Sequence, residues 1–160
     1  MRPLVVLRYR AANVWTEPSA SIPAEDLLQL ENVSDVDAFD ISVSSIAIDP
    51  RHPHEFDPVP ALPSHGSWLL GITPAAPSLA AAISRRVVAD VLARRTPPTH
   101  WPVRIAYRDD DGRTYATACE IRVIRLPLTI AAVVVRDGER VPTAGRDPVR
   151  SREPAAAERY

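Results

Sequence analysis

The sequence predicts a mainly β protein: an antiparallel β-sandwich of about seven to eight strands with one inserted α-helix at about residues 79–95. Three observations carry this. Apolar residues recur with period two over Val103–Tyr107 and again over Tyr115–Val123, the spacing of half-buried strands. Several other short apolar runs are separated by Pro, Gly, Asp, Asn and Ser, the residues of turns and loops. Only the stretch from Leu79 to Arg95 has the 3.6-residue apolar period of a helix.

Taken in order, Leu4–Tyr9 reads as a first strand, and Ala11–Pro23, which has no period, as a loop. Asp26–Val33 is a second strand, closed by the turn-forming Ser34–Asp37. Phe39, Ile41 and Val43 then alternate with Asp40, Ser42 and Ser44, after which the apolar phase moves to Ile46 and Ile48. A bulge at Ser44–Ser45 would account for the flip, because one extra residue exchanges the two faces. Asp49–Pro63 contains five prolines, which cannot donate to a ladder, so an exposed loop with a short edge strand at Val59–Leu62 is expected. Ser67–Ile72 is the next strand, ended by Pro74 and Pro77.

Ser78 can accept an unpaired first-turn amide and so cap the helix, and Pro97 and Pro98 end it. At 100° per residue, Ala80, Ile83, Val87, Val88 and Val91 share one face, and Arg86, Asp90 and Arg94 form an i, i+4 ladder beside it. The next two strands require an odd-length connection if both apolar sets are to face one way. A three-residue loop, Asp110-Asp111-Gly112 with Gly112 left-handed, meets that condition. It pairs Tyr107 with Tyr115, Ile105 with Thr117 and Val103 with Cys119, and it turns Cys119 into the core. Leu128–Val135 is apolar on both faces and reads as a central or well-covered strand, with Asp137-Gly138 as a turn after it. The sandwich is expected to span residues 1–142, and the aperiodic 143–160 to be a disordered tail.

Two passages resemble immunoglobulin-like sandwich domains of bacterial proteins. One is Leu30-Glu-Asn32-Val-Ser34 running into Ala38-Phe-Asp40-Ile-Ser-Val43, a strand, an Asn-x-Ser turn and a strand that cross between sheets. The other is Tyr107-x-Asp109-x-x-Gly112-x-x-Tyr115-x-Thr117, similar to the closing hairpin of such domains. The resemblance implies an accessory or contact module, while the helix departs from the plain pattern.

Composition narrows function chiefly by exclusion. All 19 basic residues are arginine, which together with abundant alanine and proline reads as the coding bias of a GC-rich bacterial genome. Residues 1–60 sum to −6 and residues 61–160 to +5, and strands interleaving from both halves would neutralise one another, so no nucleic-acid surface is expected. The N-terminal apolar run is only four residues long, too short for a secretory signal, and no membrane span is expected. With one cysteine, Cys119, no internal disulfide can form, in keeping with a cytoplasmic location.

The only clustered ligand types are His52, His54 and Asp57, flanked by Asp49 and Glu55. Two histidines and a carboxylate could hold zinc if the loop presented them convergently, which makes a metal-dependent hydrolase the alternative function. A solvated proline-rich loop is the competing account of the same residues. Asp109-Asp110-Asp111-Gly112 invites calcium, but in EF-hand register the first and twelfth positions are Tyr107 and Ala118, so the turn reading prevails. No nucleophile elbow or phosphate-binding glycine loop occurs, and a lone cysteine in an alternating strand is more often a core residue than a nucleophile. No catalytic residues or cofactor are assigned. A non-enzymatic, protein-binding or scaffolding sandwich is the expected function, with exposed sheet edges and the Asp49–Pro63 loop as contact surfaces. An arginine-mediated nucleic-acid binder is a further alternative, weakened because Arg85, Arg86, Arg94 and Arg95 lie at scattered azimuths and no arginine cluster interleaves with Trp15, Trp68 and Trp101.

Overall fold

A computed structural model describes residues 1–10, 27–74, 79–126 and 129–141 of the chain. It is mainly β, and every strand pairing is antiparallel. β1 (Val5–Arg10), β2 (Leu27–Asn32) and β6 (Ser67–Leu69) make a three-stranded sheet in the order β1-β2-β6. β3 (Ala38–Val43), β5 (Val59–Leu62), β8 (His100–Arg108), β9 (Thr114–Leu126) and β10 (Thr129–Val141) make a five-stranded sheet ordered β10-β9-β8-β3-β5. β4 (Glu55–Phe56) and β7 (Ile72–Thr73) form a separate ribbon. The described strands number ten rather than seven or eight, because β4 and β7 are two residues each and too short to show a period.

Alternation along the strands produces the interior. Val5, Leu7, Leu28 and Leu30 of the small sheet join Ile41, Val59, Leu62, Val103, Ile105, Tyr107, Cys119 and Ile121 of the large one in a single buried cluster, none more than 5% exposed. Each such large side chain contributes about 1.5–3 kcal/mol by leaving water. The β8–β9 hairpin has the expected register: Tyr107 opposes Tyr115, Ile105 opposes Thr117 and Val103 opposes Cys119. The Asp109 amide closes the loop by donating to the Arg113 carbonyl at 3.0 Å, and Gly112 sits at φ +77°. Tyr115 is only half-buried at the margin of the core, stacked on Tyr107 with ring centroids 6.1 Å apart.

Elsewhere local pattern and structure part company. In β3 the pairing with β8 slips between Phe39 and Ser42, and Asp40 takes a left-handed φ of 50°. The bulge therefore lies at Asp40, and Ala38 and Ile41 face inward instead of Phe39 and Ile41. At Ser44–Ser45 the strand simply ends. Ile46 and Ile48 still turn into the core, and Ile46 keeps one bridge to His54. Ser67–Ile72 divides into β6 and β7, since Leu70 still bonds to Leu28 while Asp57 takes up Gly71. Asp137-Gly138 is not a turn: β10 runs through it, with a register shift between Arg136 and Glu139 that absorbs the extra residue. Nor is β10 central. It ends the large sheet with β1 and α1 lying against it, which is the well-covered alternative of the expectation. The expected loop at 11–23, the Ser78 cap, Leu128 and the tail 143–160 fall outside the described residues.

The helix, α1 (Leu79–Leu92), stops three residues short of the expected Arg95. Arg94 adopts φ 54°, its amide bonds Val91 at 3.0 Å, and the Arg95 amide reaches back to Asp90 at 2.7 Å. This is a Schellman closure with arginine where glycine is usual. Asp90 consequently pairs with Arg86 at 2.8 Å and Arg95 at 3.8 Å, and the expected Arg94 rung is absent. Arg94→Gly removes the Cβ penalty of the left-handed residue and is expected to raise stability by about 0.5–1 kcal/mol, read as a higher urea midpoint at unchanged slope.

Candidate functional site

Most of the chemistry-bearing residues are absorbed by the fold. His52 and His54 lie on opposite sides of the surface: His54 is 2% exposed and exchanges backbone bonds of 2.9 and 2.8 Å with Ile46, whereas the exposed His52 turns to Asp49 at 3.1 Å. Asp57 is exposed and stands over Gly71, where a Cβ would collide with its carboxylate. Among the described residues these three side chains do not bring their ligand atoms within 4.8 Å of one another. Pro53 and the Ile46–His54 bridge explain why, since the bridge anchors His54 inward and leaves its neighbours on the rim. The Arg51 amide and the His52 ring hold the Asp49 carboxyl below the usual carboxylate range.

The Asp109, Asp110 and Asp111 carboxylates do meet within 4.8 Å, the one such group among the described residues. They serve the turn. Asp109 accepts the Arg113 amide at 2.7 Å and the Tyr115 hydroxyl at 2.8 Å, and Asp111 pairs with Arg113 at 3.2 Å. Burial pushes the Asp109 carboxyl up, but the Tyr115 hydroxyl, the Arg113 amide and the Arg113 charge outweigh it and leave the pKa lowered. A lowered carboxyl stabilises the fold above its unfolded pKa, near 3.8, and loses that contribution as pH falls through the folded value. Tyr115→Phe is therefore expected to be less stable than the parent at pH 7 and to converge with it on acidification; urea melts between pH 7 and 2.5 check this, and a gap constant with pH would contradict it.

A denser arrangement holds the corner where the chain changes sheets. Asn32, wholly buried, donates from Nδ2 to the carbonyls of Val36 at 2.8 Å, Leu62 at 3.1 Å and Pro63 at 3.2 Å. Its Oδ1 accepts the Ser34 amide at 3.2 Å and hydroxyl at 2.6 Å, and its own amide bonds Gly66 at 2.9 Å. One side chain thus ties the β2–β3 crossing to the β5–β6 crossing. The Asn-x-Ser turn was legible in the sequence; its second crossing was not, because Leu62–Gly66 is thirty residues away.

Two surfaces remain unexplained by packing. The first is β6, an edge strand with Trp68 47% and Leu69 60% exposed. Asn32 bonds Gly66 and Leu70 bonds Leu28, so alternate residues face β2 and the amides and carbonyls of Ser67 and Leu69 point away from it. The second is α1. Leu79, Ala82, Ile83 and Val87 are buried, but Val88, Val91 and Leu92 are 42, 54 and 80% exposed, against the expectation that Val88 and Val91 face the core. The docked face is rotated toward Leu79 and Ala82, and Arg86 beside it donates to the Ile48 carbonyl at 2.8 Å. Of the expected inward set, the Ala80 side chain lies outside those described. A shallow cleft of about 300 Å³ runs beside α1, lined by Ile48, Asp49, Ala82, Arg85, Arg86 and Ala89. A signal for this face was present, since the helix sequence is apolar on nearly every azimuth.

No family pattern matches the chain, nor does any curated protein or solved structure. Among the described residues no helix is long and apolar enough to cross a membrane.

Proposed function

We propose that this domain is a non-enzymatic, immunoglobulin-like accessory module of a bacterial cytoplasmic protein, and that it works by binding another protein. The strand order supports the immunoglobulin-like part. With β1, β2, β3, β5, β6, β8 and β9 lettered A, B, C, C′, E, F and G, the sheets read A-B-E and G-F-C-C′, the order of immunoglobulin sheets, with β10 added beyond G as a departure from that pattern. The binding part rests on β6, whose outward amides and carbonyls and exposed Trp68 and Leu69 offer a partner strand both a ladder and apolar area. The neighbouring edge of the five-stranded sheet, β5, is by contrast blunted by Pro60 and flanked by Pro58 and Pro63.

Leu69→Pro removes an outward amide without touching the bonds to β2, which come from Gly66, Trp68 and Leu70. Tagged wild-type protein is expected to retain a defined partner from its native host, and Leu69→Pro to lose it at an unchanged melting temperature. A wild-type chain that stays monomeric and retains nothing, or a partner held equally by Leu69→Pro, overturns the reading.

A further inference from the structure

α1 contributes Leu79, Ile83 and Val87 to the core and still presents Val88, Val91 and Leu92 to solvent. A helix apolar on both sides is stable in water only at the expense of its outer face, and helices of this kind ordinarily have a partner on each side. The charges around the outer face are of one sign. Residues 79–95 contain four arginines and a single acid, Asp90, which is 5% exposed and held by Arg86 and Arg95. Arg85 lies on the exposed face at i, i+3 and i+7 to Val88 and Leu92, and Arg94 follows the last turn; neither has an ion pair among the described residues. Across the cleft, Asp49 is engaged by His52 at 3.1 Å and by the Arg51 amide at 3.0 Å.

From this charge pattern we infer that the outer face of α1 docks an acidic amphipathic helix of a partner protein, its apolar stripe on Val88, Val91 and Leu92 and its carboxylates on Arg85 and Arg94. The inference rests on the reading of the domain as a protein-binding module but uses a surface separate from β6. A second copy of the chain fits worse, since two such faces would bring like charges together.

The test uses the full chain and a labelled synthetic helix of about 20 residues with leucine at i, i+3, i+4 and i+7 and glutamate elsewhere. Its anisotropy is expected to rise on titration. Binding is expected to weaken about tenfold or more in Leu92→Glu and in Arg85→Glu combined with Arg94→Glu, and to fall with added salt. These positions are exposed, and unchanged melting temperatures verify the fold. Equal binding of the same peptide with lysine for glutamate, or no binding of either, overturns the proposal. So does self-association that Leu92→Glu abolishes, or preference for phosphatidylglycerol vesicles over the acidic peptide. Leu69→Pro is expected to bind the peptide as the parent does, so a failure at β6 and a failure at α1 are read separately.

Discussion

Ile105→Asp is expected to abolish cooperative folding at 25 °C. Ile105 is wholly buried at the centre of β8, itself the middle strand of five, opposite Thr117 on β9 and Val43 on β3. No arginine or histidine is among its cross-strand partners, so the carboxylate would be desolvated without compensation. The penalty of several kcal/mol, added to the lost burial of the isoleucine, approaches the whole of a typical domain's 5–15 kcal/mol. Ala118→Asp on β9 is the control: it is exposed and stands between Arg104 on β8 and Glu139 on β10, whose opposite charges offset one another, so it is expected to change stability by no more than about 0.5 kcal/mol. Circular dichroism and urea melts of the pair check the result. An Ile105→Asp protein that melts like the parent would contradict the inward assignment of the entire hairpin.

Asn32→Leu is expected to cost roughly 3 kcal/mol or more. Leucine has the same branched shape and number of side-chain heavy atoms, so the effect chiefly reports polar satisfaction. The substitution removes every side-chain bond that Asn32 makes to Val36, Leu62, Pro63 and Ser34. Buried groups left unsatisfied cost about 1–3 kcal/mol each, and more than one is orphaned here. Asn32→Asp is expected to be as damaging, because a carboxylate cannot donate to carbonyls and faces them at close range. Surrounding contacts at the same corner, Ser64 to Asp37 at 2.9 Å and His65 to Asp35 at 2.7 Å, are exposed and cannot replace it. If instead Asn32→Leu lowers stability by less than about 1 kcal/mol, the two crossings are held by their sheets and not by this residue.

What could be read from the sequence was what is local. The β8–β9 register followed from parity and Gly112, Val59–Leu62 from prolines at an edge, and the presence of the helix from its period. These depend on neighbours within a few residues, where backbone geometry leaves few choices. The candidate ligands His52, His54 and Asp57 were legible as types but not as an arrangement, since a bridge from Ile46 decides which way His54 faces.

The amino-acid order alone settles where the longer strands and the one helix lie, and which face of the central hairpin is dry, because alternation and turn chemistry act over short separations. Only the tertiary structure decides that α1 docks through Leu79, Ala82, Ile83 and Val87 and exposes Val88, Val91 and Leu92, that β10 ends a sheet, and that Asn32 joins two crossings. Each of those outcomes is a competition among contacts between residues far apart in the chain, and no periodicity within one segment encodes the winner.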